Sequence, residues 1–376
     1  MNLRTPPAPA PRPADEDTIH GCRGSAGLSG HDRPRAGRRL HPLRLRGLGL
    51  FAGSLLACSQ STPGAADLGA PPDATCREPG AVLSAGCDSY RAKGSVGQLP
   101  SDVLDETSGA AASRKNRDVL WVHNDSGGEP ELYALAVTAG TAPRLVATVA
   151  LTGAKNEDWE DLAIGPSPRA AGDFLYVGDI GDNVTSSKRR RGIQIYRIPE
   201  PALDTTKTNQ RLSIGASQVE RIELVYPGGQ PHDSEALFVD PQSGEVFLIT
   251  KNLSGPSFLY SAGVIGAPPE SPIELRPATG CDGTPRPLSF TGGSPIVTGA
   301  DLTVTGRAVL VRAYSGAFLF ERGATESVFD ALARTACELP IADERQGETI
   351  AATADGTGYF TVSEGKGEAI HLFMKE

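Results

Sequence analysis

From residue 106 onward, the chain repeats one pattern of apolar and polar positions five times. Each copy opens with an acidic residue in a short apolar segment, and turns separate this segment from a second and a third. Short apolar or alternating segments bounded by turn residues predict β-strands. The first segments are residues 106–112, 159–164, 234–239, 299–304 and 347–352; the second are 119–123, 174–178, 246–250, 308–312 and 358–362; the third are 131–135, 193–197, 257–260, 317–320 and 369–373.

A fourth segment can be assigned as well, as at residues 144–148 and 221–225. Five copies of such a unit predict an all-β fold, a β-propeller of five blades. The last copy lacks a fourth strand before the chain ends, and residues 88–97 are predicted to supply it and close the ring. Six blades are the alternative if residues 287–290 begin a degenerate blade, and a β-sandwich is the rival fold.

The composition agrees with a chain of short strands. The 376 residues include 44 Gly and 30 Pro, which is too many turn formers for a helical bundle. Hydrophobic residues make up 39% and charged residues 22%. These values are typical of a globular protein and exclude both a mainly disordered chain and a polytopic membrane protein.

Residues 1–57 differ from the rest of the chain in charge. They contain nine Arg and four acidic residues, whereas residues 58–376 carry a net charge of −14. An apolar run at 47–57 is too short to span a bilayer but fits a secretory signal. We expect residues 1–57 to be a leader. About the first 35 of these residues are expected to result from a translation start site that was assigned too early. The acidic remainder argues against a nucleic-acid partner.

Leu55-Leu-Ala-Cys58 resembles the bacterial lipobox, in which the leader is removed and the cysteine becomes a lipidated N-terminus. An ordinary signal peptide with a chance cysteine is the alternative. We therefore expect an exported monomer of the bacterial cell envelope, anchored to a membrane only through Cys58. Residues 58–87 are predicted to be a flexible tether and residues 88–376 the propeller.

Four cysteines remain in the predicted mature body, namely Cys76, Cys87, Cys281 and Cys337. An even number in an exported chain predicts two disulfides, for which three pairings are possible. Proximity favours Cys76 with Cys87, and Cys281 with Cys337 follows by default. Because no C-x-x-C spacing occurs, a metal or redox role of these thiols has little support.

The strongest candidate for chemistry is the acid of each first segment. If these acids occupy equivalent positions on the innermost strands, they converge on the channel, where like charges repel unless they are protonated or neutralised by a cation. Calcium accepts about six to eight oxygen ligands with flexible geometry, so it suits such a ring better than zinc. The alternative is that these acids cap turns or bond backbone amides between blades. The five acids are Glu106, Glu160, Glu235, Asp301 and Glu348.

Candidates for acid–base catalysis are weaker. Asp179 and Asp182 lie in a Gly-Asp-Ile-Gly-Asp-Asn segment, which either forms a turn or donates carboxylates to a ligand. His123 is a candidate general base, for which a surface hydrogen-bonding role is the alternative, and Asp125 is a further candidate for catalysis. An acid recurs after the second segment as Asp125, Asp179 and Glu364, which suggests a shared geometric role. No G-x-S-x-G, H-E-x-x-H or P-loop motif supports a serine hydrolase, zincin or NTPase.

Four strings resemble a family of uncharacterised bacterial propeller lipoproteins, over about residues 100–374. More distantly, an acid that opens each inner strand is similar to the SdiA-regulated and esterase-like phytase propellers. The resemblance implies an extracytoplasmic propeller with calcium, and it transfers no activity. The chain departs from the pattern at Asp301, where most copies have Glu. The strings are Asp158-Trp-Glu-Asp-Leu-Ala163, Gly178-Asp-Ile-Gly-Asp-Asn183, Asp233-Ser-Glu-Ala-Leu237 and Gln346-Gly-Glu348.

We therefore expect a lipid-anchored, calcium-stabilised propeller that binds a ligand or an envelope partner on one face. The alternative is a calcium-dependent hydrolase of the phosphoester or lactone class, in which the channel ion polarises the substrate. An open coordination position would favour the hydrolase, whereas a closed site would be structural.

Overall fold

The computed structural model describes residues 87–138, 140–183, 189–293 and 295–376. The predicted leader and most of the tether, with Cys58 and Cys76, lie outside the described residues. Within these ranges the chain is almost entirely β-structure, and no helix is long and apolar enough to cross a membrane. The strands are β1 (Tyr90–Gln98), β2 (Thr107–Ala112), β3 (Val119–Asn124), β4 (Glu131–Ala136), β5 (Arg144–Leu151), β6 (Trp159–Ser167), β7 (Ala170–Asp179), β8 (Ile193–Pro199), β9 (Gln210–Ile214), β10 (Glu220–Val225), β11 (Ser234–Val239), β12 (Glu245–Thr250), β13 (Leu259–Val264), β14 (Ile273–Glu274), β15 (Arg276–Pro277), β16 (Ser289–Phe290), β17 (Val297–Leu302), β18 (Ala308–Ala313), β19 (Gly316–Glu321), β20 (Thr335–Leu339), β21 (Gly347–Ala352), β22 (Gly358–Ser363) and β23 (Ala369–Lys375).

Two 3-10 turns, Cys87–Ser89 and Pro227–Gly229, and one short helix, α1 (Val328–Ala331), are the helical elements of the described ranges. The strands form five sheets, which are the blades of a five-bladed β-propeller. The innermost strands β2, β6, β11, β17 and β21 contact one another in ring order. Blade 1 contains β2–β5 and β9, blade 2 contains β6–β8, β10 and β14, blade 3 contains β11–β13 and β15, blade 4 contains β16–β20, and blade 5 contains β21–β23 and β1.

The ring closes through the first strand of the described chain. Strand β1 pairs antiparallel with β23, so it is the fourth strand of blade 5, and the predicted closure is confirmed. Strand β16 pairs parallel with β20 of blade 4. Ser289 and Phe290 therefore extend blade 4, and the alternative of a sixth blade beginning at residues 287–290 is wrong.

Five hydrophobic clusters form the core, and each lies between two neighbouring blades. The cluster between blades 1 and 2 includes Trp121 and Trp159, which are both fully buried. Blades are covered on both faces by their neighbours, so the central strands read as continuous apolar runs. Burial of each large apolar side chain contributes about 1.5 to 3 kcal/mol of transfer free energy.

A disulfide links blade 4 to the segment that closes blade 5. Cys87 is bonded to Cys337, with Cα atoms 6.1 Å apart, and Cys281 is also disulfide-bonded. The predicted pairings of Cys76 with Cys87 and of Cys281 with Cys337 are therefore wrong. Cys87 immediately precedes β1, and Cys337 lies in β20 of the neighbouring blade. Ring closure thus joins cysteines that are 250 residues apart in sequence, which proximity along the chain does not reveal.

Candidate cation site at the mouth of the channel

Each innermost strand has a β-bulge close to its start. In β6, Trp159 and Asp161 pair with consecutive residues of β7, so Glu160 is the extra residue. The same irregularity occurs at Glu235 in β11 and at Glu348 in β21. A bulge re-aims the side chain at its position and increases the local twist. These three acids therefore occupy equivalent positions in blades 2, 3 and 5, as the sequence predicted.

The bulges of the other two blades carry hydroxyl residues. Ser108 in β2 donates a hydrogen bond to the carbonyl oxygen of Glu160 at 2.6 Å. Thr298 in β17 donates to the carbonyl oxygen of Gly347 at 2.8 Å. Both hydroxyls thus bond the neighbouring inner strand, and neither blade contributes a carboxylate at this position.

Glu106 and Asp301 are therefore not part of the ring in which the sequence placed them. Glu106 precedes β2, is exposed, and does not line the cavity described below. Strand β17 begins two residues before the predicted segment, which places Asp301 three residues past the bulge position. Its carboxylate accepts hydrogen bonds from the backbone N–H groups of Leu302 at 2.7 Å and Ala352 at 2.8 Å. Asp301 thus bonds a backbone amide of the neighbouring blade, which is the alternative role given for these acids in the sequence analysis.

A cavity of about 180 Å³ lies at the end of the channel where the inner strands begin, and we call it the mouth cavity. The bulge acids Glu160, Glu235 and Glu348 line it. The cavity is also lined by a second set of residues, each of which directly follows the second strand of its blade, in blades 1, 3, 4 and 5. These residues are Asp125, Lys251, Tyr314 and Glu364.

The proposed shared role of Asp125, Asp179 and Glu364 is only partly supported by this arrangement. Asp125 and Glu364 occupy equivalent positions, whereas Asp179 is the last residue of β7 and Ile180 takes the equivalent position in blade 2. Ile180 packs into the core between blades 2 and 3. The offset of one residue explains why Asp179 does not line the mouth cavity.

Two groups of three carboxylates are each close enough together to share an ion. Within each group, one oxygen from every residue lies within 4.8 Å of the others. Asp158 and Asp233, which directly precede β6 and β11, belong to these groups but were not singled out from the sequence. The signal for them was the Asp-x-Glu spacing shared by two of the quoted strings. The groups are Asp125, Asp158 and Glu160, and Glu160, Asp233 and Glu235.

Two carboxylate oxygens at the cavity are buried without a hydrogen-bond donor among the described residues. They are Oε1 of Glu160 and Oε2 of Glu348, whose side chains are almost fully buried. A Cβ atom at Gly181 would collide with Oε1 of Glu160 and Oδ2 of Asp158, so glycine allows the backbone to pass beside both oxygens. A buried carboxylate oxygen without a donor is costly unless a proton or a cation compensates it.

Burial and mutual repulsion raise the pKa values of these acids. Burial, followed by the neighbouring carboxylates, raises the pKa of Asp158 to about 7. Burial raises the pKa of Asp125 to about 6 and that of Glu348 to about 7. Burial, followed by the charges of Glu235 and Asp125, also raises the pKa of Glu160 well above the ordinary range. The cluster thus favours either bound protons or a bound cation at neutral pH.

Lys251 is the only basic side chain that lines the mouth cavity within the described ranges. Its Nζ donates to Oε1 of Glu235 and, at 2.8 Å, to the hydroxyl of Tyr314, and it lies 4.9 Å from the centre of the Tyr314 ring. Burial lowers the pKa of Lys251, but the Glu235 carboxylate and the Tyr314 hydroxyl together outweigh burial and raise the pKa overall. Lys251 therefore stays charged and compensates one carboxylate of the cluster.

Of the four candidates for catalysis, only Asp125 lines the mouth cavity. His123 is fully buried, where its Nδ1 donates to the carbonyl oxygen of Asn124 at 2.9 Å and its ring contacts Trp159 edge-on. Burial lowers the pKa of His123 to about 4, so the ring is neutral at pH 7. Its place in the core, away from solvent, does not suit a general base.

Asp179 and Asp182 hold the backbone next to the site. The Asp179 carboxylate accepts hydrogen bonds from Arg190 at 2.8 Å, from Gln194 at 2.5 Å and from the backbone N–H of Asp158 at 3.1 Å. Asp182 accepts from the Nε of Arg189 and the backbone N–H of Arg190, both at 2.9 Å. Both carboxylates are thus engaged within the protein, which agrees with the alternative of a structural turn.

Asp161, the neighbour of Glu160, has a role that the sequence did not predict. Its Oδ1 accepts from the N–H of Leu162, and its Oδ2 accepts from the N–H groups of Leu237 at 2.8 Å and Ala300 at 3.0 Å. These donors belong to blades 2, 3 and 4. The carboxylate therefore joins the inner strands of three blades.

No protein-family model matches the chain, and the search of curated proteins finds no match. Among solved structures, the chain is similar to a glucose dehydrogenase, with 11% identity, a TM-score of 0.41, and coverage of 75% of this chain and 98% of the other. It is also similar to a putative oxidoreductase (glucose dehydrogenase) from Thermus thermophilus, with 10% identity and a TM-score of 0.39. That match covers 76% of this chain and 100% of the other. The third similar structure is the holo form of the PQQ domain of a pyranose dehydrogenase from Coprinopsis cinerea, with 11% identity and a TM-score of 0.42. That match covers 77% of this chain and 96% of the other.

With such low identities and TM-scores, these similarities carry no argument about activity. The propeller assignment rests on the strand pairing of this chain, which confirms the fold that the lipoprotein resemblance implied.

Proposed function

We propose that the mouth cavity binds calcium and that the bound ion stabilises a propeller whose face at this end binds a ligand or an envelope partner. The observation that carries the proposal is Glu160, which is 3% exposed and has an Oε1 atom without a donor. Asp125 and Asp158 place carboxylate oxygens within 4.8 Å of a carboxylate oxygen of Glu160. A cation there would satisfy the unpartnered oxygen and remove the repulsion among the three charges.

The donor set suits calcium better than a transition metal. Each of the two clusters of three acids consists of Asp and Glu only, and neither contains Cys or His. Calcium takes about six to eight oxygen ligands in flexible geometry, whereas structural zinc prefers four ligands that include sulfur or nitrogen. Asn183 and Glu364 at the rim of the cavity are additional oxygen donors.

We further propose that the protein is exported and anchored through Cys58. The proposal is supported by the lipobox-like string that ends at Cys58 and by the change from a basic to an acidic chain at the same point. Calcium modules outside the cytoplasm have dissociation constants of about 10⁻⁴ to 10⁻³ M, so a site of moderate affinity suffices in that compartment.

The second candidate function is a calcium-dependent hydrolase of the phosphoester or lactone class. The observation that favours it is the position of Lys251 and Tyr314, which line the same cavity as the candidate cation ligands. A lysine ammonium and a tyrosine hydroxyl beside a cation are groups that can stabilise a developing negative charge. Phosphoester and lactone substrates should be assayed with and without calcium. Hydrolysis that requires both calcium and Glu160 would establish this candidate.

Calcium binding is tested by titration calorimetry of the purified full chain after chelation. We expect calcium to bind and Glu160→Gln, which keeps the size of the side chain, to weaken binding at least tenfold. Glu223→Gln is the matched control, because Glu223 lies on the same blade in an exposed pair with Arg221. We expect the control to bind as the parent does. A parent protein that shows neither calcium binding nor a calcium-dependent melting temperature would refute the proposal.

A further inference from the structure

We propose that the mouth cavity holds two divalent cations and that Glu160 bridges them. The inference rests on the proposed function and deepens it, since it concerns the same cavity. The two groups of carboxylates that can each hold an ion have Glu160 as their single common member. We call the group of Asp125, Asp158 and Glu160 the first position, and the group of Glu160, Asp233 and Glu235 the second position.

The two positions contain equivalent Asp-x-Glu pairs, one blade apart, and each is completed by an acid of the preceding blade. Each consists of an Asp-x-Glu pair at the start of one inner strand and one acid from the preceding blade. At the first position, Asp158 and Glu160 of blade 2 are joined by Asp125 of blade 1. At the second position, the pair of blade 3 is joined by Glu160 of blade 2. The approximate rotational repeat of the propeller thus provides the Asp-x-Glu pair twice, whereas the third acid differs, because Asp125 follows β3 and Glu160 is the bulge residue of β6.

Glu160 has the free oxygen that a bridging ligand needs. Its side chain is nearly fully buried, lines the cavity, and has an Oε1 atom without any partner among the described residues. An ionised carboxylate has about four acceptor sites on two oxygens, so one carboxylate can serve two cations. This unpartnered atom is an observation independent of the clustering of the acids.

The charge of the ionised cluster is also balanced better by two ions than by one. The five carboxylates of the two positions and Lys251 together carry −4 when all are ionised. One divalent cation leaves −2 within the cavity, whereas two neutralise the set. Glu348 and Glu364 on the remaining wall add further negative charge. Repulsion among like charges at these distances is therefore relieved more completely by two ions.

Lys251 makes the two positions unequal. Its ammonium donates to Oε1 of Glu235, which belongs only to the second position. An ion there must share Glu235 with a fixed positive charge, whereas the first position has no lysine in contact with its acids in the described part of the chain. We therefore expect the first position to bind more tightly. Replacing Lys251 with Gln should strengthen the weaker binding step.

The test is the binding stoichiometry of the chelated full chain, measured with calcium by calorimetry and with manganese by electron paramagnetic resonance. We expect two equivalents in the parent, with the magnetic coupling of a manganese pair. Asp158→Asn and Asp233→Asn should each retain one equivalent without coupling, and Glu160→Gln should weaken both binding steps at least tenfold. Glu223→Gln, remote from the cavity, should retain two coupled ions.

The parent measurement decides the inference without relying on any variant. One equivalent that is lost in both Asp158→Asn and Asp233→Asn would mean a single shared ion, so that the proposed function stands and the bridged pair is wrong. No binding in the parent would refute both. Two equivalents that persist in both Asn variants would place the ions elsewhere and overturn the assignment of the two positions.

Discussion

The carboxylate of Asp161 accepts a hydrogen bond from the backbone N–H of Ala300 at 3.0 Å, although the two residues belong to blades 2 and 4, which are not neighbours in the ring. The same Oδ2 atom also accepts from Leu237 of blade 3 at 2.8 Å. One side chain therefore ties three blades together across the channel. Burial raises the pKa of Asp161, and the three backbone N–H donors oppose that shift.

Asp161→Asn should lower the free energy of unfolding by about 3 kcal/mol. The amide keeps the volume but has a single acceptor atom, so at least one buried N–H group loses its partner, which costs about 1 to 3 kcal/mol in addition to the lost charge-assisted bond. Urea denaturation measures the difference. The exposed control Glu223→Gln should change the value by less than about 0.5 kcal/mol. If both variants are equally stable, Asp161 does not tie the blades.

The disulfide between Cys87 and Cys337 should stabilise the ring by about 2 to 5 kcal/mol, because it limits the unfolded chain over a long loop. We expect Cys87→Ser, Cys337→Ser and the double variant to lose the same amount, since each removes the same bond. Thermal or urea unfolding of the three variants provides the comparison. A double variant that is clearly less stable than either single variant would show that the two cysteines do not act as a pair.

The lipid anchor is tested with Cys58→Ala. We expect the parent to sediment with membranes and the variant to appear in a soluble exported fraction, because only Cys58 can carry the proposed lipid. Fractionation followed by mass measurement of the mature N-terminus distinguishes the two. A variant that remains in the membrane fraction as the parent does would contradict the anchor.

The fold was predictable because the repeat itself encodes it. Five copies of a three-segment pattern, with turn residues between the segments, predicted five similar blades, and the missing last strand predicted closure by residues 88–97. The pairing of Cys87 was not predictable, since it depends on which blades become neighbours when the ring closes.

The site was predictable only where residue type and strand register agreed. Glu160, Glu235 and Glu348 share a bulge position, but Asp301 was aligned by its charge although Thr298 occupies that position. Hydrogen bonding of strands sets the register, and a shift of a single residue changes the face on which a side chain lies. The sequence did not predict a role for Asp158 and Asp233, because they lie just before the inner strands. Their position depends on the direction in which the chain enters each strand, which the strand pattern does not give.

The pH dependence of stability should differ between the calcium-free and calcium-bound protein. The carboxyl of Asp158 faces Asp125, Asp233, Asp179 and the guanidinium of Arg190, and its pKa is raised to about 7 from an ordinary value of 3.8. The calcium-free folded state thus binds more protons than the unfolded state between these pH values. Its free energy of unfolding must therefore fall as the pH rises from about 4 to about 7.

Calcium should reverse this trend, because it binds the ionised carboxylates and its affinity rises over the same pH range. At 100 times the dissociation constant, selective binding adds about 2.7 kcal/mol, which corresponds to a rise of about 4 °C in melting temperature for a domain of this size. We expect that rise at pH 8 and almost none at pH 5, measured by thermal unfolding of chelated protein with and without calcium. Asp158→Asn should flatten the pH dependence of the calcium-free form, since one raised carboxyl is gone. Calcium-free protein that gains stability from pH 5 to pH 8, or a calcium effect of equal size at both values, would mean that the buried acids are compensated within the protein and need no cation.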